Sequence, residues 1–427
     1  MLFKIKIIYY WLLIKFRKPF HTRKALEMFQ QKKLNKFARN VLIHSTYYKS
    51  YCKREPIDWN EIPYITKMEF MANFNIINTC NIMIEEAMPF ALSAEKNRTF
   101  NNEINGITIG LSTGTSGNRG LFLVSENERA QWVALVMSRV IKPRIFQKQK
   151  IAFFLRANSN LYASVSSGLF EFKYFDIFKP IEQLLNELHA FAPHIVAAQP
   201  SVLMDIAIAQ QSGSIHINPH QVISFAEVLH QTDKSFITTH LNASITEVYQ
   251  CTEGFLGVSC SNGTMHLNED FIRFEKEWID EDKFYPVITD FSRSSQPVVR
   301  YKLNDILQVR QTACACGSPL LALEKIIGRD DDVLYINNRK IYPDLLVRRI
   351  AISCNQFQNY TISQIGPYKL FVQIECAQPD YASLVDKFKE AIYGLLVELG
   401  ITNVEIECKR EPVRIAGNKL RKVSCKI

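Results

Sequence analysis

The chain has 427 residues, 47% of them hydrophobic, with a net charge of +9 and ten cysteines. That length holds two or three domains around a sizeable core, which excludes a disordered or fibrous protein. The charge is local: residues 1–55 carry fourteen Lys and Arg against Glu27 and Glu55, and the other 372 residues sum to −3. It is therefore no property of an active site, and the basic segment holds no recognition motif that would argue for nucleic acid.

The first apolar run, Ile7 to Ile14, is bracketed by Lys4, Lys6, Lys15, Arg17 and Lys18. It falls short of the ~20 residues of a membrane span and has no small-residue cleavage site after it. Two readings stay open: packing onto the body, or peripheral contact of residues 1–20 with an anionic membrane surface. Ten cysteines without a secretion signal fit a reducing cytoplasm, with that membrane contact on its inner face. Residues 20–54 are expected to be helical, from the spacing of Leu26, Phe29, Leu34, Phe37, Val41 and Leu42.

Ile107 to Ile109 reads as a strand, and Leu121 to Val124 as the next. Between them lies the loop Ser112-Thr113-Gly114-Thr115-Ser116-Gly117. Ser125 with Glu128 forms a capping-box pattern that opens a helix running to about Lys142-Pro143. Strands then alternate with helices: 151–155, helix 181–191, 194–198, helix 201–211, 222–225 and 245–250. This alternation predicts an α/β fold with a doubly wound, mainly parallel sheet. Ligands of such sheets bind beyond the carboxyl ends of the strands, here Gln199-Pro200, Ala226-Glu227 and Tyr249 to Glu253. A charged stretch, Gly328 to Asp332, divides an N-terminal domain, 1–327 with a basic lead-in 1–54, from a segment 333–427 of mixed strands and helices.

Small residues let backbone N–H groups turn inward as a nest for phosphate, and Ser112, Thr113, Thr115 and Ser116 add hydroxyl donors. Glycines 114 and 117 permit the turns. A nucleotide P-loop is disfavoured, because its GxxxxGK[ST] spacing is missing and a strand follows where that motif needs a helix. A plain hairpin turn stays open on the loop alone.

The rest of the chain adds Tyr249-Gln250-Cys251-Thr252-Glu253, Arg300-Tyr301-Lys302-Leu303-Asn304-Asp305, Ile327-Gly328-Arg329-Asp330-Asp331-Asp332 and Gly417-Asn418-Lys419. In this order they resemble the motifs of the adenylate-forming superfamily, in particular its phenylacetate-CoA ligase, coenzyme F390 synthetase and CapK-like branch. The resemblance implies a large N-terminal domain and a small, mobile α+β C-terminal domain turning about a hinge at 328–332. It implies ATP and Mg²⁺, with residues 112–117, Ala226, Glu227, Tyr249, Asp305 and Arg329 on the nucleotide. Tyr249 would stack on adenine and Asp305 take the ribose hydroxyls. Thr252 and Glu253 would serve the phosphates, Glu253 holding the Mg²⁺, and Lys419 would reach the reacting carboxylate and α-phosphate. The chain departs from the family at Asn118, where many members carry lysine; Arg119 is the cation expected to take that place.

Cys260, His266, Cys314 and Cys316 offer three thiolates and one imidazole, a closed tetrahedral set for a structural Zn²⁺, with unligated buried cysteines as the alternative. The named branch carries a similar arrangement near this place. The reaction expected is adenylation of a small carboxylic acid, then transfer to an acceptor: coenzyme A, a carrier-protein thiol or an amine, the last suggested by surface-polysaccharide relatives. Arg156, Asn158, Tyr162 and Phe225 are expected at the acyl pocket. A different reading is a nucleotide-binding homologue, catalytically weak, acting as an accessory protein at a membrane.

Overall fold

The structure is a computed structural model, which describes residues 2–53, 57–97, 99, 103–112, 119–142, 147–155, 170–354, 357, 359–376, 379, 381–413 and 419–427. Thr113 to Gly117, Asn118, Arg156, Asn158, Tyr162, Gly417 and Asn418 lie outside the described residues.

The parallel core follows from strands that are apolar on both faces. Strand β1 (Gln149–Leu155) lies between β2 (Phe170–Asp176) and β3 (Ile195–Ala198), and β4 (Gln221–Phe225) and β5 (Ser244–Cys251) continue the parallel order outward from β3. Alternate residues of β1 serve two cores. Ile151 and Phe153 pack with Leu34, Phe37 and Ile223 on one face, while Ala152 and Phe154 pack with Leu184, Leu188 and Val202 on the other. Helices Ile181–Phe191 and Pro200–Gln211 supply that second face.

Beyond β5 the direction reverses. The hairpin Thr252-Glu253 returns the chain into β6 (Gly254–Ser259), antiparallel to β5, and the sheet runs on through antiparallel neighbours. Four of these bear on the site: β7 (Met265–Leu267), β8 (Val298–Lys302), β9 (Asp305–Val309) and β10 (Ala322–Arg329). Among the described residues this sheet has twelve strands. The phosphate-loop candidate lies between two antiparallel strands of a separate sheet, Ile107–Leu111 and Leu121–Ser125. The reciprocal capping box of Ser125 and Glu128 is present, but its helix ends at Arg139, short of the expected 142–143.

The expected helical stretch 20–54 divides. Helix Arg23–Asn40 is followed by short turns at Leu42–His44 and Tyr51–Lys53. There the backbone finds partners outside the helix, with Tyr47 N–H and Ser45 Oγ both donating to Ile76 O. All ten cysteines are free thiols.

Residues 334–423 build their own core, in which a four-stranded sheet carries helices Pro343–Ser353 and Tyr381–Glu398. Its last strand, Val423–Cys425, runs parallel to Asn359–Gly366. That pairing brings the preceding residues, 419–422, back over the large sheet.

Candidate functional site

A cleft of about 2300 Å³ lies above the carboxyl ends of the parallel strands, under the returning tail. Gln199, Pro200, Ala226, Glu227 and Tyr249 to Glu253 all line it, as do Asp305, Arg329 and Lys419. Residues far apart in sequence meet there because the strand ends of a parallel sheet share one edge.

The group formed by Tyr249, Asp305 and Arg329 is built by mutual restraint. Tyr249 Oη donates to Asp305 Oδ2 at 2.7 Å, and Arg329 Nε stands 3.6 Å from Asp305 Oδ1. Burial raises the Asp305 carboxyl on balance, while Arg329, the Tyr249 hydroxyl and Lys419 pull it back toward the ionised, acceptor-only form. Burial opposes charge on Arg329, and Asp305, Asp332 and Asp331 more than offset it.

At the hairpin, Tyr301 Oη donates to Glu253 Oε1 at 2.9 Å. This fixes one carboxylate oxygen of a group that lines the cleft, and a carboxylate is the ligand type a hard divalent cation takes. Burial and the negative charge of Glu253 push the Tyr301 phenol up, so it stays a donor.

Glu227 follows Ala226, which adopts φ +71° at the end of β4. A left-handed alanine costs about 1–2 kcal/mol and marks a turn held by its surroundings. The Glu227 carboxylate accepts from Ser201 N–H at 3.1 Å, from Ser201 Oγ at 3.2 Å and from Leu420 N–H at 2.9 Å. The last bond joins the tail to the large sheet. Arg421 pairs with Asp332, and Lys422 Nζ donates to Asp233 Oδ2 at 2.7 Å. Three consecutive residues are thus each held by a carboxylate, and Lys419, just before them, is carried into the cleft. Burial lowers its pKa, Arg329 adds to that, and Glu227 and Asp305 oppose it.

Arg119, expected to stand in for the missing loop lysine, forms a two-pronged ion pair with Glu95, and both it and Ser112, the first residue of the candidate loop, line the cleft. Lys67 reaches that serine: its Nζ donates to Ser112 Oγ at 3.2 Å, and the same oxygen accepts Gly120 N–H at 2.7 Å. Burial lowers the Lys67 pKa, and nearby Glu253 opposes the shift. Lys67 and Ser201 are functional candidates that motif reading passes over, and Tyr301, inside the Arg300 to Asp305 motif, is given no role by it. Thr66 and Glu69 do form a capping box, which signals that a helix starts at Lys67 but says nothing of what its side chain faces.

Phe225 lines the cleft with Trp132, Val136, Phe153, Leu155 and Ile223, an apolar bay beside the polar edge.

The four predicted metal ligands converge away from these groups. Their ligand atoms all lie within 4.8 Å of one another, with Cys260 Sγ 3.8 Å from Cys314 Sγ and Cys316 Sγ 3.3 Å from His266 Nε2. His266 Nδ1 lies 3.1 Å from Leu320 O, the partner that leaves Nε2 for a metal. Hydrogen bonds from Thr264 and the Cys316 backbone bring the Cys314 thiol down to about 6. The set fits tetrahedral zinc and leaves no position open.

No protein-family model matches the chain. A phenylacetate-coenzyme A ligase of Thermus thermophilus is 24% identical over 182 residues, covering 38% of this chain and 40% of that protein. The match thus spans well under half the relative's length. Among solved structures, 2-hydroxyisobutyryl-CoA ligase in the postadenylation state with 2-HIB-AMP superposes with TM-score 0.68 at 17% identity, over 94% of this chain and 89% of the other. The same ligase in its thioesterification state gives 0.52 at 16% identity over the same shares. The anthranilate CoA ligase AuaEII with anthranoyl-AMP gives 0.53 at 13% identity, over 74% of this chain and 66% of its own. The chain has the fold of the adenylate-forming ligases, and in sequence it is similar to the phenylacetate-coenzyme A ligase branch of that superfamily.

Proposed function

We propose that this protein is an ATP-dependent carboxylate ligase that forms an acyl-adenylate and passes the acyl group to coenzyme A. The observation that carries this reading is the placement of Lys419 in one cleft with Glu227, Asp305, Arg329 and Glu253. The protein contributes no nucleophile: the acid's carboxylate attacks the α-phosphorus and pyrophosphate leaves.

Asp305 accepts the ribose hydroxyls, with Tyr249 and Arg329 holding it in place. Tyr249 also offers its ring to the adenine. Glu253 and Thr252 sit where the phosphates and Mg²⁺ would lie, and the metal when bound offsets phosphate charge during attack. Ser112 opens the phosphate loop with Thr113 to Gly117, and Lys67 supplies the cation that Asn118 does not. Lys419 draws the two anions, carboxylate and α-phosphate, into contact and offsets the charge that develops between them.

For the second half-reaction, residues 328–332 serve as the hinge between 1–327 and 333–427. Turning about it requires release of Leu420 from Glu227, Arg421 from Asp332 and Lys422 from Asp233. The better superposition on a postadenylation structure than on a thioesterification structure supports assigning the present arrangement to the first step.

The apolar bay around Phe225 favours a hydrophobic acid, with Arg156, Asn158 and Tyr162 as further pocket candidates. The Cys260, His266, Cys314 and Cys316 set holds a structural zinc. A carrier thiol or an amine is the alternative acceptor, the amine suggested by the resemblance to CapK-like proteins. The amide bond synthetase McbA of Marinactinospora thermotolerans, similar in fold at 10% identity and TM-score 0.53 over 73% of this chain and 66% of its own, is consistent with keeping the amine as an alternative. A cytoplasmic location suits the free thiols.

Incubation with ATP, Mg²⁺, coenzyme A and a panel of apolar carboxylic acids should yield AMP, pyrophosphate and an acyl-CoA in equal amounts. AMP formation with an amine but not with coenzyme A would reassign the acceptor. ADP as the nucleotide product would contradict the reading.

A further inference from the structure

Helix Leu2–Lys15 is apolar nearly all round, a composition that ordinarily marks a helix buried on every side. Only one side of it is covered. Ile7 is buried against Ala130, Val133 and Ala134 of helix Glu126–Arg139, with Phe3, Tyr10, Trp11 and Ile14 packed beside it. Lys6 Nζ pairs with Glu126 at 2.7 Å and Arg129 lies over the Phe3 ring, so the helix is fixed to the body in one rotation.

That rotation turns a second apolar face outward. Leu2, Ile5, Ile8, Tyr9, Leu12, Leu13 and Phe16 are 42–75% exposed, and at 100° per residue they share one sector of about 140°. The patch is on the order of several hundred Å², as large as patches that mark interaction sites. At one margin of this sector stand exposed Lys4 and Lys15, and exposed Lys18, Lys24, Lys32 and Lys36 follow along the chain. Two acidic residues accompany fourteen basic ones in 1–55.

We propose that this face docks the protein on an anionic lipid bilayer, the large side chains entering the acyl boundary while the lysines meet phosphate headgroups. Lys4 and Lys15 at one margin of an apolar face, with further exposed lysines following in sequence, complement such a surface. They would repel the same basic face of a second copy, which disfavours self-association through it. Because the helix is already anchored through its other side, binding needs no unfolding of the body and leaves the cleft intact.

The test is co-sedimentation of the full chain with vesicles rich in phosphatidylglycerol and with vesicles of phosphatidylcholine alone, at low and high salt. Binding should be strong on the anionic vesicles, weaken with salt, and fall by about tenfold or more in an Ile8→Glu, Leu13→Glu variant. Neither residue touches the cleft, so acid-dependent pyrophosphate release and the melting temperature of the variant should match the parent. Equal, weak sedimentation with both vesicle types would overturn the proposal. So would a concentration-dependent dimer that the same two substitutions dissolve, since the face would then belong to a second copy.

Discussion

Replacing Lys419 by alanine should lower the rate of adenylate formation by about 10²–10³-fold, the scale seen when one preorganised charge-stabilising donor is removed. ATP affinity should change little, because Asp305, Tyr249 and the loop hold the nucleotide without it. Single-turnover formation of acyl-AMP, with ATP binding measured separately, separates the two effects. A Lys419→Ala variant as fast as the parent would remove this residue from the site. The shift adds a pH signature. Burial lowers the Lys419 pKa, so its charge is lost at a lower pH than that of an ordinary lysine. Adenylation should therefore decline on the alkaline side as pH rises through that depressed value. Residual activity of Lys419→Arg, whose charge does not titrate in this range, should lack that decline. Lys67→Met should behave differently, raising the KM for ATP roughly tenfold through loss of a charged phosphate contact. Equal KM in that variant would leave the loop without its substitute cation.

The second large effect concerns the zinc. Purified protein should hold about one zinc per chain, lost when Cys314 and Cys316 are both changed to serine. Cys260 directly follows β6, His266 lies on β7, and the two other cysteines precede β10, which pairs with β7. The metal would therefore clamp the turn between three neighbouring strands. Its loss should lower the melting temperature by on the order of 10 °C, with less effect on the KM for ATP, since the four ligands stand apart from the nucleotide groups. Stable, zinc-free parent protein with full activity would refute the assignment.

Much of this architecture is legible before any coordinates, for a physical reason. Parallel strands buried on both faces must be continuously apolar, so 151–155, 194–198 and 222–225 announce themselves, and their carboxyl ends locate the cleft. Ser125 and Glu128 mark a helix start through local hydrogen bonding alone. Four ligands scattered over 57 residues also converge, because cysteine and histidine of suitable type were recognisable individually.

What escapes the sequence is set by tertiary packing. Glu128 looks like a capping residue, yet it also accepts from the backbones of Ser294 and Ser295. Lys67 lies 45 positions before the oxygen it contacts, and no spacing rule links them. Arg119 was the natural choice for a loop cation by position, but Glu95 from a neighbouring helix claims it. Val41 and Leu42 continue the helical spacing, while Ile76 draws the following backbone out of the helix. The first helix is the sharpest instance: its apolar residues suit packing and membrane contact alike, and only the docked rotation separates a packed face from an exposed one.

The step proposed for the cleft joins a carboxylate to the α-phosphate of ATP. Exchange of labelled pyrophosphate into ATP, with Mg²⁺ and an apolar carboxylic acid but no acceptor, tests that step alone. Exchange should require the acid and disappear in Lys419→Ala. Measurable ATP binding without exchange for any acid would contradict it, and would leave a nucleotide-binding protein in place of a ligase.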